Sequence, residues 1–159
     1  HRRIIALMRE TASDDAHARQ DHTHELLRAA QKLGVEVLVR QVPEAALAGA
    51  DIVRSGGLIE GCSAVLSNNP AAVVGLACAA QAHGLSVPAD LSVLTLGITQ
   101  DSVRRGEAFS ELSVNRETMG AEAGSLLLRR LRGEPAPTQH RGLMPAVLTD
   151  RGSTALCRS

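Results

Sequence analysis

The sequence predicts an α/β fold, an open parallel sheet flanked by helices. Three observations lead there. Short apolar or β-branched segments alternate with helix-length segments from Arg2 to Leu96. Capping residues, prolines and glycines mark where the helices begin and end. The run Leu91-Ser-Val-Leu-Thr-Leu is apolar on both faces, as a strand covered on both sides of a parallel sheet must be.

The elements follow in order. RRIIALM (Arg2 to Met8) is a strand. Ser13 caps the next helix, and Asp14 and Asp15 place negative charge at the positive end of its dipole. That helix runs to Leu33 and stops at Gly34. VEVLVR (Val35 to Arg40) alternates like a strand. Pro43 suits the first turn of the helix EAALAGADIVRS, which Gly56-Gly57 breaks. CSAVLSN is the third strand, and Pro70 opens the helix PAAVVGLACAAQAH, which Gly84 ends. Pro88 then pushes Val87 to extended geometry and leads into the fourth strand. Helices between successive strands imply right-handed crossovers. Ile98 to Glu111 reads as a long loop. NRETMGAEAGSLLLRRLRG is an amphipathic helix with Met119, Ala123, Leu127 and Leu131 on one stripe, ended by Gly133. EPAPTQH is a linker, and GLMPAVLTD holds a last short strand.

Composition narrows the function. The chain has 159 residues, 44% of them hydrophobic, enough for one domain with a core. No apolar run approaches the ~18 residues of a membrane span. HRR followed by IIALM is too short for a secretory signal. Seventeen basic residues balance 17 acidic ones, and Phe109 is the single aromatic. A neutral chain without stacking rings lacks the footprint of a nucleic-acid-binding module. Cys62, Cys78 and Cys157 form no C-x-x-C pair, which suits a reducing cytoplasm. The chain opens on His1 and is read as a piece of a longer protein.

Few motifs carry chemistry. SGGLIEG matches neither phosphate-binding glycine pattern, so no nucleotide cofactor is expected. No G-x-S-x-G elbow occurs, so an enzyme reading lacks its nucleophile. His17, Asp21 and His24 share a helical face, but Arg28 stands where the zinc motif H-E-x-x-H needs its second histidine. These residues read as a solvated face, with no metal. SNNP is the sharper site. Ser67, Asn68 and Asn69 lie where a parallel strand ends and a helix begins, the place where open α/β sheets bind ligands. Asn69 either meets a ligand or caps the helix.

HRRIIAL, AVLSNNPAAVVGLACAAQAHGLSVPADLSVL and GAEAGSLLLRRLRGEPAP together resemble the second half of LacI/GalR-family bacterial transcription regulators. The turn GLSVPADLSVL is the most specific of the matching blocks. The resemblance implies an effector-binding domain related to periplasmic sugar-binding proteins, in which two α/β lobes close on a small molecule. It implies that residues 1–110 form the C-terminal lobe. Residues 111–159 would be a crossover segment, helix and strand belonging to the other lobe. DNA would be bound only through an N-terminal domain outside this chain, by a cytoplasmic homodimer, and the apolar tail would itself drive association. A stand-alone solute-binding protein shares the fold and stays open as the alternative.

The resemblance also nominates residues. Asn69 keeps the asparagine of the family's Asn-Asp pair, but Pro70 replaces its aspartate. Gly97 stands where an acidic sugar ligand is common. The arginine of the first helix aligns with His22 or its neighbours, with Arg19 one turn away. The ligand set expected is therefore Asn69, Asn68, Ser67, Arg19, His22 and Gly97. With both carboxylates gone, a less hydroxylated or anionic effector gains weight. Asn69→Ala should weaken the response without unfolding the protein.

Overall fold

The computed structural model describes residues 1–10, 16–56, 61–97, 109–134 and 144–157, with backbone alone for 16–22. The chain order is β1 (Arg3–Arg9), α1 (Ala16–Lys32), β2 (Glu36–Val42), α2 (Ala46–Arg54), β3 (Ala64–Ser67), α3 (Pro70–Ala82), β4 (Ser92–Leu96), β5 (Ser110–Val114), α4 (Arg116–Leu131) and β6 (Ala146–Thr149). The strands form one sheet in the order β2-β1-β3-β4-β5-β6. The first five are parallel neighbours and β6 is antiparallel to β5. The sheet is thus open and mainly parallel, with an antiparallel strand on one edge.

Strand alternation sorts the core. Ile5, Leu7, Val65 and Val93 point to one face, where they pack with Val53, Ala72, Val73, Leu76 and Ala80 of α2 and α3. Glycine governs how closely those two helices approach. A Cβ on Gly49 would stand 1.7 Å from the carbonyl oxygen of Ala72, and one on Gly75 would stand 1.7 Å from that of Ala46. The two contacts are reciprocal, so each helix lays its backbone directly on the other's.

The helix boundaries follow local chemistry. Gly34, Gly84 and Gly133 have φ of +67°, +81° and +77°, the left-handed conformation that ends a helix. After Gly84, Asp90 accepts from both the Ser86 backbone N–H (2.9 Å) and its hydroxyl (2.7 Å), clasping the turn that precedes β4. Pro70 occupies the first turn of α3, with Asn69 as N-cap. Pro43, however, is not in a helix. The Ala45 N–H donates to the Pro43 carbonyl at 2.8 Å, and α2 starts only at Ala46. The turn takes up the residues that the sequence assigned to the first helical turn. Ser13 lies outside the described residues.

The stretch read as a loop also needs correction at its end. Residues 98–108 lie outside the described residues, but Ser110 and Glu111 begin β5. Its polar residues hid the strand, and the structure shows what satisfies them. The Ser110 N–H donates to Ser153 Oγ at 2.7 Å, and the Ser110 hydroxyl donates to Asp150 at 2.9 Å. Ser153 in turn donates to the Val93 carbonyl at 2.6 Å. Arg151 donates to the Phe109 carbonyl at 3.0 Å and pairs with Glu111 at 3.3 Å. Residues 150–155 therefore lie against β4 and β5, to which these bonds tie them.

Within this knot the Gly152 N–H and the Ser110 hydroxyl hold the Asp150 carboxyl below its ordinary value of 3.8. A carboxyl lowered on folding stabilises the fold above its unfolded value, and that contribution disappears as pH falls through the folded value. Acid unfolding of Asp150→Asn should accordingly be shallower than that of the parent chain below about pH 3.8. Superimposable acid limbs in circular dichroism would refute this.

Candidate functional site

The carboxyl ends of β1, β2 and β3 meet the N-termini of α2 and α3, and a web of hydrogen bonds ties them into one rim. β1 hands on to β2 through the Glu10 N–H, which donates to the Val42 carbonyl at 2.9 Å. β1 is joined to β3 by the Arg9 N–H, which donates to Asn68 Oδ1 at 2.8 Å. Below it, the Ser67 hydroxyl donates to the Leu7 carbonyl at 2.6 Å, and its oxygen accepts from the Asn69 N–H at 2.9 Å.

Asn69 is the centre of this web. Its Oδ1 accepts from the Ala72 N–H at 3.2 Å, capping α3. Its Nδ2 donates to the carbonyls of Val42 (3.3 Å) and Pro43 (2.9 Å). The residue is 0% exposed, as is Ser67. Both were expected to offer polar groups to a ligand. In this conformation they are enclosed and their groups serve the frame. A cap alone uses only the oxygen; the amide explains why asparagine stands here, because it fastens the β2–α2 turn to α3.

The exposed layer above that frame is different. Asn68 is half-buried, and among the described residues its Nδ2 has no partner. Arg9, the last residue of β1, pairs through Nη1 with Glu44 at 3.1 Å, their side chains 47% and 56% exposed. Sequence reasoning passed over both. The signal was present in the charged pair Arg9-Glu10 that ends an apolar strand, and in a glutamate immediately after Pro43. Glu44 also supplies a carboxylate next to the Pro43 carbonyl that Asn69 holds, where the resemblance had left both of the family's carboxylates gone.

Gly97 follows β4 with φ +71°, and its N–H donates to the Leu112 carbonyl at 2.9 Å. It lies at the carboxyl end of the sheet, where this bond ties it to β5. Arg19 and His22 are on α1, and their side chains lie outside the described residues. So do those of His17 and Asp21. Among the described residues no group of three His, Cys, Asp or Glu side chains is placed to hold a metal ion. No described helix is long and apolar enough to cross a membrane.

The site is thus a polar rim on a rigid hydrogen-bonded base, suited to binding. Nothing in the described geometry joins a nucleophile to a general base there.

Comparison with known proteins extends the picture. The family described as periplasmic binding protein-like domain matches residues 1–154. Among curated proteins, none matches. Among solved structures, a LacI family transcriptional regulator from Bifidobacterium animalis subsp. lactis superposes with a TM-score of 0.78 at 22% identity, covering 98% of this chain and 56% of its own. One from Mycobacterium smegmatis gives 0.68 at 26% identity, covering 98% and 58%. One from Arthrobacter sp., solved in complex with lactose, gives 0.74 at 21% identity, covering 97% and 58%. The chain spans little more than half the length of each.

Proposed function

Because the chain belongs to the periplasmic binding protein-like domain family, we propose that it is the ligand-sensing part of a bacterial DNA-binding transcription regulator. The effector is a small polar molecule received at the rim of β1, β2 and β3. What carries the reading is that almost the whole chain superposes on part of a LacI family regulator at 26% identity. The work is done by differential affinity: a ligand that prefers the closed arrangement of two lobes shifts the population toward it, and by linkage shifts DNA affinity.

Exposed apolar side chains after Ser110 support a second lobe that packs on this one. Residues 1–110, with β6 and residues 150–155 bonded onto their sheet, lie in the C-terminal lobe, and α4 belongs with the other. α4 has no buried residue, and Met119, Leu127 and Leu131 are 46%, 61% and 74% exposed. Val147 and Leu148 of β6 are exposed as well. Full burial of such a side chain is worth about 1.5–3 kcal/mol, of which each forgoes roughly half or more. The 159-residue chain alone should therefore form a homodimer through residues after Ser110, and Leu127→Glu with Leu131→Glu should make it a monomer. Sedimentation equilibrium decides; a parent chain monomeric at every concentration would reject this.

The test of the function is a fluorescence-anisotropy titration of the full-length protein against upstream DNA of its own gene, with and without candidate effectors. A sequence-dependent complex whose affinity changes with effector supports the reading. Effector binding without any DNA complex would instead indicate a solute-binding protein. The 159-residue chain, with no net charge, should bind no duplex above background.

A further inference from the structure

Among the described residues, the rim around Arg9 and Asn68 is rich in donors and poor in acceptors. Of the five N–H groups on the Arg9 guanidinium, one finds an acceptor among the described residues, at Glu44. Asn68 has spent its oxygen on the Arg9 N–H and keeps its Nδ2. The exposed acceptor beside them is the Glu44 carboxylate, itself half out in solvent. A ligand that complements such a rim brings acceptors.

We propose that Arg9 receives an oxyanion of the effector, a carboxylate or phosphate, and that Glu44 is the placeholder it displaces. The inference rests on the sensor reading above and names its ligand class. A guanidinium presents parallel N–H groups in a plane, which matches the two oxygens of a carboxylate or phosphate. Through a single 3.1 Å contact to one nitrogen, Glu44 leaves that plane largely unused. The pair is exposed at both ends, so opening it disturbs nothing beneath. The base of the site, in contrast, is fixed: Asn69 clamps the turn before Glu44, and Asn68 clamps the backbone of Arg9. Arg9 and Glu44 are thus held at a set separation while their side chains stay free to part.

A neutral sugar is a poorer complement. Its hydroxyls would have to donate to Glu44 while leaving most Arg9 donors unmatched. On this chain its apolar ring face would find no aromatic side chain, since Phe109 is the only one and packs against the core.

Calorimetric titration of the full-length protein with two matched pairs, glucose 6-phosphate against glucose and gluconate against sorbitol, tests this. At least one charged member should bind ten times or more tightly than its neutral partner. Arg9→Met should remove that advantage, and Glu44→Gln should tighten the charged member severalfold by removing the competitor. Both positions are exposed, so unchanged melting curves will show that the variants fold. Equal binding of charged and neutral members, or weakening on Glu44→Gln, overturns the oxyanion and leaves the sensor standing. If no member of either pair binds, the oxyanion falls together with the small polar effector.

Discussion

Gly49→Ala and Gly75→Ala should each cost about 3 kcal/mol or more, the upper end of what overpacking a core produces. The added methyl in either case lands 1.7 Å from a backbone carbonyl oxygen of the facing helix, Ala72 for Gly49 and Ala46 for Gly75. A flexible side chain would swing aside; a carbonyl within a helix cannot move without its helix. α2 and α3 must therefore part, and their separation would loosen Val53, Val73 and Leu76 above β1 and β3. Because one separation relieves both clashes, the double variant should lose less than the sum of the single losses. Gly120→Ala and Gly124→Ala in α4 provide the contrast. Among the described residues nothing lies within 4 Å of a Cβ at either position, so in the monomeric Leu127→Glu, Leu131→Glu background these changes should stabilise by about 0.5–1 kcal/mol. Urea denaturation of the four single variants checks the sign as well as the size. Equal small effects at all four would mean that α2 and α3 are not packed backbone to backbone.

The same helices show how far sequence carries the fold. β1 to β4 were readable, and so were the helix boundaries that had a local cause: Asn69 and Pro70 open α3, and Gly34 and Gly84 take up left-handed geometry. β5 was hidden because SELSV satisfies its polar groups through residues 40 or more positions later, Asp150 and Ser153, which no local window contains. Pro43 misled for a related reason. A proline before a helical pattern suits the first turn, but here its carbonyl is taken by Ala45 and by Asn69 across the sheet.

The candidate site was legible as a place and less so as a set of side chains. Strand ends and helix starts locate the rim without any knowledge of packing. Which groups face outward depends on the web beneath. Ser67 and Asn69 carry the right chemistry, yet their groups are turned inward, while Arg9 and Glu44, from separate elements, meet at the surface. Their pairing is a consequence of the parallel register that aligns Arg9 with Val42, and nothing in either segment alone announces it.

Asn69 provides the second large effect, and it separates frame from contact. Asn69→Ala should cost about 3 kcal/mol: near 1 for the lost cap and about 0.5–1.5 for each bond from Nδ2. The two carbonyls are not orphaned by this change, since Val42 still accepts from Glu10 and Pro43 from Ala45. The variant, expected to weaken the response without unfolding the protein, should thus fold with a measurable loss of stability. Asn69→Asp is the sharper variant. Aspartate caps a helix as well as asparagine does, so the bond to Ala72 survives. Its second oxygen, however, faces the carbonyls of Val42 and Pro43 with no proton to give, in a site that is 0% exposed. A buried carboxylate with no cation costs about 3–5 kcal/mol at neutral pH, so aspartate should be worse than alanine there. Its folded pKa must then lie above the unfolded ~3.9. Relative to the parent chain, the penalty should shrink as pH falls toward that value, where the carboxyl is protonated and donates to one carbonyl, and grow as pH rises through the folded pKa. Stability of the parent, alanine and aspartate chains measured at pH 4.5 and 7.5 would show this crossing. A penalty for aspartate that is no larger than alanine's at pH 7.5 would mean that Nδ2 does not hold the β2–α2 turn, and that Asn69 is free to meet the ligand after all.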